Sequence, residues 1–211
     1  MPNTFHYLMR VGAAAAWLAG ATPVTAPAPL AAATRSKPDT GRAAYTPQDV
    51  QFMAGMIAHH AQAVMIAGWA PSHGASASLR AMCERIVVGQ TDEIVLIQRW
   101  LRDRHEAVPQ PDTIYRPMPG MTMAMVMPGM LTDAQLAQLD SARGQDFDRL
   151  FLNDMIQHHQ GAITMVNTLF GSNGGGEEEI VFRFASDVYA DQTTEIARMH
   201  RMLDALPRSP R

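Results

Sequence analysis

The sequence contains one cysteine, Cys83, among 211 residues. A single cysteine excludes an intramolecular disulfide. Because Cys83 falls beside the apolar stripe of a predicted helix, a buried structural thiol is favoured over a metal ligand. Charge is also scarce: 18% of the residues are charged, the formal net charge is −3, and no run of Lys or Arg occurs. These absences argue against nucleic acid or an anionic membrane surface as a partner.

Long apolar runs are missing except near the N-terminus, where an Ala-rich stretch covers residues 11–22. This stretch is too short to span a bilayer comfortably, and Pro23 follows it. We therefore predict an export signal over residues 1–33, cleaved after the small residues that end it, and a flexible mature N-terminus over residues 34–45. The product is expected to be periplasmic or secreted, with no membrane attachment after cleavage. An uncleaved anchor is the alternative, which the prolines oppose.

No segment shows the alternation that is typical of a β-strand. Four segments instead repeat apolar residues at helical spacing, and capping residues, Pro or Gly bound them. The predicted fold is all-α, an antiparallel four-helix bundle made of two repeated helical hairpins. The hairpins are predicted at residues 46–105 and 145–206, and residues 106–144 form a Met-rich linker that ends in a short helix.

One signature occurs twice in the chain, which indicates an internal duplication. Residues 52–60 read FMAGMIAHH and residues 151–159 read FLNDMIQHH, an offset of 158 − 59 = 99 residues. About thirty residues further on, QTDEI at 90–94 and QTTEI at 192–196 form a second shared signature. The residues that both copies keep are Phe, Met, His-His, Gln and Glu.

Each copy of the signature places a Met three and four residues before two adjacent histidines. On an α-helix, residues at these spacings are neighbours on one face. Cu(I) accepts thioether and imidazole ligands and Cu(II) binds imidazole strongly, whereas zinc gains little from Met. The spacing therefore predicts copper, as Cu(I), Cu(II) or both. The predicted ligands are Met56, His59, His60, Met155, His158 and His159.

The second signature places Gln and Glu on a shared helix face in each hairpin, at Gln90 and Glu93 and at Gln192 and Glu195. If each hairpin folds back on itself, these side chains can approach the histidines of the same hairpin. We predict that they accept the imidazole N–H and so orient the ring toward a metal. The alternative is a metal-free polar layer in which His, Gln and Glu satisfy one another.

A Met-rich run lies between the two repeats, and the chain contains sixteen methionines in all. Three prolines and two glycines interrupt the run, so an ordinary helical core stripe cannot explain it. We predict that the run captures copper, and a linker whose methionines absorb oxidant is the alternative. Its six methionines are Met118, Met121, Met123, Met125, Met127 and Met130.

Four features together are typical of one known family: the duplicated Met-x-x-His-His, the Phe four residues before each Met, the downstream Gln-x-x-Glu-Ile and the Met-Pro-Gly-Met sequence between the repeats. On these features, the chain resembles the domain of unknown function 305 family. The resemblance covers about residues 46–205. It implies a ferritin-like helical bundle, and it implies copper binding and resistance in the cell envelope, because the family includes exported CopM-like copper-binding proteins. One departure is that the Met after each His pair, Met65 or Met165, is displaced by one residue between the repeats.

Three functions are compatible with these features. The first is a copper carrier or buffer without enzymatic activity, with copper ions as its ligand and an envelope copper-handling protein as a candidate partner. The second is a di-metal oxidase on a ferritin-like bundle, but such sites use Glu-x-x-His on two helices, and the two main hairpins lack it. The third is a metal-free interaction module that docks a partner through the Met-rich run.

The Met-rich run generates a direct test. Changing its six methionines to leucine keeps the apolar bulk and removes the sulfur, so packing and metal ligation are separated. We expect the variant to lose Cu(I) and to keep nearly all of its Cu(II), as measured by equilibrium dialysis with each ion. Equal Cu(I) uptake by the variant and the unaltered chain would show that the run is only a linker.

Overall fold

The computed structural model describes residues 44–110 and 127–207. The predicted signal peptide, most of the predicted flexible N-terminus, and Met118, Met121, Met123 and Met125 lie outside these ranges. The described residues form five α-helices and no strand. The helices are α1 (Pro47–Gly68), α2 (Ala77–Asp103), α3 (Asp133–Ser141), α4 (Gly144–Phe170) and α5 (Glu179–Ala205).

The helix starts follow local capping chemistry. At α1, the Thr46 hydroxyl accepts a hydrogen bond from the Asp49 backbone N–H and the Asp49 carboxylate accepts one from Thr46 N–H, with Pro47 at the first helical position. Thr132 and Gln135 form the same reciprocal box at α3, as the sequence predicts. In contrast, no side chain caps the start of α4 at Gly144, so the sequence carries no capping signal there.

The long helices pack in a definite pattern. Helix α1 packs along α2, α4 packs along α5, and α1 contacts α4 across the two repeats, while α3 rests on α4. The all-helical prediction is confirmed for the described residues, and the four-helix-bundle arrangement stays a prediction. None of the described helices has both the length and the apolar character that a membrane span requires.

The apolar core consists of two clusters. One cluster joins the second half of α1 and the first half of α2 to the first half of α4 and to Met199 in the second half of α5, and it contains Cys83, which is buried as predicted. The other joins the first half of α1 and the second half of α2 to the second half of α4 and the first half of α5. Buried polar side chains lie between the two clusters along the helices: His59, His60, Gln62, Gln90, His158, His159 and Gln192. We call this set the polar layer.

Two buried aspartates connect the repeats reciprocally. Asp49, in the first turn of α1, accepts a 2.7 Å hydrogen bond from the backbone N–H of Gly176, just before α5. Asp148, which is 148 − 49 = 99 positions later, accepts from the backbone N–H of Ser76, the N-cap residue of α2, at 3.2 and 3.3 Å. Each repeat therefore ties down the turn of the other, and both carboxylates are almost completely buried. The duplication is thus expressed in the fold as a pair of equivalent contacts.

These aspartates generate a stability prediction. Asp148→Ala removes the buried carboxylate that accepts the Ser76 N–H, so we expect the free energy of unfolding to fall by about 1.5–3 kcal/mol, the range for hydrogen bonds to charged groups. Asp49→Ala should cost at least as much, because Asp49 also closes the capping box of α1. The exposed Asp146 in the same helix is the matched control, and Asp146→Ala should change stability by about 0.5 kcal/mol or less. Urea unfolding measures all three, and equal losses would contradict the bridging role.

Candidate metal centre

The four histidines of the duplicated signature meet in the polar layer. His59 and His60 lie on α1 and His158 and His159 lie on α4, and all four side chains are buried. Adjacent residues on an α-helix point in directions about 100° apart. One histidine of each pair therefore turns toward the other repeat, and its neighbour turns toward the second helix of its own hairpin. The sequence repeat becomes an inner pair and an outer pair of imidazoles.

The inner pair is His59 and His158. Their ring centroids are 3.9 Å apart with the ring planes inclined by 39°, so the two imidazoles lie against each other at the junction of the repeats. The Nε2 atom of His59 is 3.1 Å from the carbonyl oxygen of Pro128 and donates to it when it carries the proton. Neither ring nitrogen of His158 has a hydrogen-bond partner.

The outer pair is His60 and His159, and each contacts a glutamate of its own hairpin. The Nε2 atom of His159 lies 2.6 Å from Oε2 of Glu195 in a hydrogen bond. The Nε2 atom of His60 lies 2.8 Å from Oε2 of Glu93, a charge contact whose orientation falls short of a hydrogen bond. Both rings are fully buried, whereas the side chains of Glu93 and Glu195 are 22% and 27% exposed. Each carboxylate thus connects a buried imidazole to solvent.

Several buried polar atoms of the layer have no partner. If the Glu93 contact is counted as serving His60 Nε2, the atoms left over are Nδ1 of His60, His158 and His159, Nε2 of His158 and Oε1 of Gln90. An unpaired buried polar atom costs about 1–3 kcal/mol, and a whole domain is stable by only about 5–15 kcal/mol. A cost of this size indicates that the layer accommodates a further partner.

Burial controls the charge of the inner pair. It lowers the pKa of His59 to about 3, with the neighbouring His60 as the second cause, and the Pro128 carbonyl offsets part of the effect. Burial likewise lowers the pKa of His158 well below its usual value, with the charges of the other three histidines adding to the effect, while the nearby His59 carbonyl opposes it weakly. Both rings are therefore neutral at neutral pH, which is the form that binds a metal.

The two methionines of the signature are completely buried but lie on opposite sides of the polar layer. Met56 belongs to the cluster that contains Phe184, and Met155 belongs to the cluster that contains Phe147. The structure describes the last two methionines of the Met-rich run. Met130 is buried, and the sulfur of Met127 lies beside Gly55 of α1. The run therefore ends next to the histidine layer.

A short segment, residues 127–131, is fastened over the inner pair. The Gln62 amide donates to the Leu131 carbonyl at 3.1 Å and accepts from the Leu131 N–H at 2.8 Å. Gly129, at φ +79°, and Gly161 of α4 allow two backbones to touch: a Cβ atom on Gly129 would come within 2.6 Å of Gly161 Cα, and one on Gly161 would collide with the Pro128 carbonyl. The segment therefore closes the side of the layer where His59 meets His158.

Sequence reasoning missed Gln62 and Gly161. A signal was present in each case, because Gln62 is a polar residue on the buried face of α1 and Gly161 interrupts an amphipathic helix pattern, which often marks close backbone approach. The structure brings the four histidines together with Glu93 and Glu195. Within the described residues, neither Gln90 nor Gln192 forms a hydrogen bond with an imidazole. As placed, no group of three or more His, Cys, Asp or Glu side chains in residues 44–110 and 127–207 could hold a metal ion.

Comparison with known proteins identifies relatives of this chain. The family model described as domain of unknown function (DUF305) matches residues 49–203. No curated protein matches the sequence. Among solved structures, a DUF305 fragment from Deinococcus radiodurans is 27% identical with a TM-score of 0.65, covering 77% of this chain and 99% of that one. A DUF305 protein from Streptomyces coelicolor, described as secreted, is 24% identical with a TM-score of 0.63, covering 74% and 92%.

A third relative, CopM, has been solved with metals bound. Its Cu(I)-bound form is 25% identical to this chain with a TM-score of 0.57, covering 76% of this chain and 97% of that one. Its Cu(II)-bound form is 24% identical with a TM-score of 0.59, covering 74% and 95%. CopM has also been solved in silver-bound forms. At 24% identity, the similarity to the Cu(II)-bound form concerns the fold alone.

The depressed pKa values of the inner pair generate a prediction for the metal-free protein. Between about pH 6.5 and pH 3 the unfolded chain binds a proton at His59 that the folded chain does not, so stability falls as the pH falls. Each inner histidine contributes up to about 1.4 kcal/mol per pH unit to this slope. We expect urea unfolding between about pH 7.5 and pH 5.5 to show the slope, and the variant His59→Asn/His158→Asn to lose it.

The comparison with the double variant isolates the imidazoles. Burial raises the pKa of Asp154 to about 6, which has the opposite sign, but Asp154 titrates in both proteins and cancels. Identical slopes in the two proteins would contradict the neutral inner pair.

Proposed function

Because the chain belongs to the domain of unknown function (DUF305) family, we propose that it is an exported protein that binds copper and carries or buffers the ion in copper homeostasis. The proposal assigns the copper to the polar layer between the two repeats. Binding without catalysis is proposed, since the sequences of the two main hairpins lack the Glu-x-x-His pattern that di-metal oxidases on such bundles use.

The observation that carries the proposal is the set of imidazole nitrogens without partners. A metal-free polar layer requires that the His, Gln and Glu side chains satisfy one another's hydrogen bonds. This holds for Nε2 of His159 with Glu195, but neither ring nitrogen of His158 has a partner. Neutral, desolvated imidazoles whose outer nitrogens contact carboxylates are prepared for a metal, because the carboxylate orients the ring and raises its basicity. A buried water is the competing occupant.

The donor set suits copper better than zinc. The four imidazoles of the layer accept Cu(II), and the thioethers of Met56 and Met155 add the soft character that Cu(I) requires. Because no three His, Cys, Asp or Glu side chains form a site as placed, binding requires sulfur among the ligands or a rotation of imidazole side chains. Glu93 and Glu195 are proposed to hold the outer rings, with Gln90 and Gln192 beside them.

The proposed architecture is a ferritin-like four-helix bundle. It is supported by the composition of the two core clusters, each of which draws on α1, α2, α4 and α5 from opposite halves of sequential helices. Such a pattern arises when neighbouring helices run antiparallel. In a bundle of this kind, metal sites form in the core from side chains on facing helices, which is where the polar layer lies.

The Met-rich run is proposed to capture Cu(I) next to the layer. Its last two methionines, Met127 and Met130, lie in the segment whose Pro128 carbonyl contacts His59. Met127 lies beside α1, and Met130 is buried. The relatives support a soft ion, because CopM has been solved with Cu(I), Cu(II) and silver bound. A periplasmic or extracellular location and an envelope copper-handling partner complete the proposal, which rests for these points on the sequence signal and on the family.

The experiment that tests the proposal replaces the histidine pairs. We expect His59→Ala/His60→Ala, and separately His158→Ala/His159→Ala, to lower the stoichiometry of Cu(II) binding and to weaken the affinity for any remaining Cu(II) by at least about tenfold, which corresponds to about 1.4 kcal/mol, because each variant removes two imidazole ligands. His200→Ala is the matched control, because His200 is exposed and lies outside the layer. Equilibrium dialysis with elemental analysis measures the copper, and circular dichroism measures the helix content.

Two outcomes would contradict the site. Unchanged copper binding in the variant with all four histidines replaced would remove the layer as the metal centre. Unfolding of the metal-free variants, together with unchanged stability of the unaltered chain on adding copper, would favour the polar layer as a purely structural feature.

A further inference from the structure

A groove between α2 and α5 leads from solvent to the two glutamates that contact the outer histidines. Its volume is about 320 Å³. It lies on the side of the polar layer where Glu93 and Glu195 contact His60 and His159. The polar and charged residues that line it are Arg85, Gln90, Glu93, Asp191, Gln192, Glu195 and Arg198.

The two glutamates connect the groove to the buried rings. The imidazoles of His60 and His159 have no exposed surface, but the carboxylates that touch them are 22% and 27% exposed. An ion that reaches either carboxylate from the groove is therefore one side chain away from a buried imidazole. The carboxylates also supply the oxygen atoms that a partly dehydrated cation needs before it leaves water.

A third carboxylate makes part of the groove negative. The pKa of Asp191 is raised by partial burial and then by the charges of Glu93 and Glu195, so the three carboxylates lie close enough to interact. Arg85 and Arg198 also line the groove, but among the described residues neither forms an ion pair with these three carboxylates. Three carboxylates and two guanidinium groups leave the lining with a formal charge of −3 + 2 = −1, and a negative cleft concentrates cations and accelerates their association.

An unpartnered carbonyl in the groove points to the same ligand class. Gln90 is 4% exposed, lines the groove, and its Oε1 atom has no hydrogen-bond donor. A buried amide oxygen without a donor is costly, and a cation or its bound water is a suitable partner. On the opposite side of the layer, residues 127–131 cover the inner pair, because they are packed against α4 and fastened by Gln62.

We infer that the α2–α5 groove is the entrance through which a hydrated divalent cation reaches the polar layer, with Glu93 and Glu195 transferring the ion to His60 and His159. The inference rests on the proposed function, since it assigns a route to the same site. Asp191 attracts the ion, and Gln90 receives it within the groove. The groove is a path rather than the final site, because the imidazoles beyond its carboxylates are the stronger ligands for copper.

Two glycines allow a matched experiment. A side chain at Gly89, which lines the groove, or at Gly68, at the end of α1, would meet no atom within 4 Å, so both positions accept a larger residue without a clash. Gly89→Arg places a cation in the entrance, and Gly68→Arg places the same charge elsewhere on the surface. Asp191→Asn removes one entrance charge, and Asp204→Asn, on the same helix outside the groove, is its control.

The measurement is the association rate of Cu(II) with the full mature chain in stopped-flow mixing, at low and at high salt. We expect Gly89→Arg to lower the rate at low salt about tenfold and Asp191→Asn about threefold, within the range that electrostatic steering covers. High salt should reduce both effects, because exposed charges are screened. Gly68→Arg and Asp204→Asn should match the unaltered chain, and the copper stoichiometry should stay the same in all five proteins.

The results distinguish a failure of the proposed entrance from a failure of the proposed function. Equal association rates in Gly89→Arg and Gly68→Arg, with copper bound in both, would overturn the entrance and leave the proposed function intact. A lower copper stoichiometry in Gly89→Arg would place the ion in the groove itself and would also overturn the entrance. An unaltered chain that binds no Cu(II) would overturn the proposed function, and the entrance with it.

Discussion

The contact between His59 and His158 is the constraint on which the rest of the structure depends. These residues occupy equivalent positions in the two repeats, and their rings lie 3.9 Å apart in a fully buried position. Placing two imidazoles there separates the apolar core into two clusters and holds both rings in the neutral form. The surrounding contacts support this arrangement: carboxylates hold the outer rings, and residues 127–131 cover the inner ones.

The duplicated sequence produces nearly symmetric contacts, with one break in the symmetry. Asp49 and Asp148 each accept a hydrogen bond from a backbone N–H of the other repeat. Glu93 and Glu195 make equivalent contacts with the outer histidines. The break is at the positions that follow the His pairs, where repeat one has Gln62 and repeat two has Gly161. Gln62 binds the covering segment and Gly161 leaves room for it, so the two sides of the polar layer differ. One side is closed by backbone, and the other opens into the α2–α5 groove.

This difference gives the two sides different chemistry. The closed side carries the end of the Met-rich run, whose thioethers match Cu(I). The open side carries carboxylates and an amide oxygen, which match a hydrated divalent ion. Under the proposed function, each side presents the ligand class that one oxidation state of copper prefers. The partly exposed Glu93 and Glu195 connect the open side to the buried imidazoles.

The sequence by itself determined the helices and the duplication, and it identified the four histidines and two glutamates that the structure brings together. Helical spacing and capping boxes are local properties, so the starts of α1 and α3 were predictable, whereas the start of α4 has no side-chain cap and carries no capping signal. Only the tertiary structure decided which histidine faces which partner, since the direction of a side chain in a bundle depends on how helices distant in sequence pack. It also placed Met56 and Met155 on opposite sides of the layer, and it gave Gln62 and Gly161 their roles. Those roles require residues 69 and 32 positions away in the chain, at Leu131 and Gly129, which no local pattern encodes.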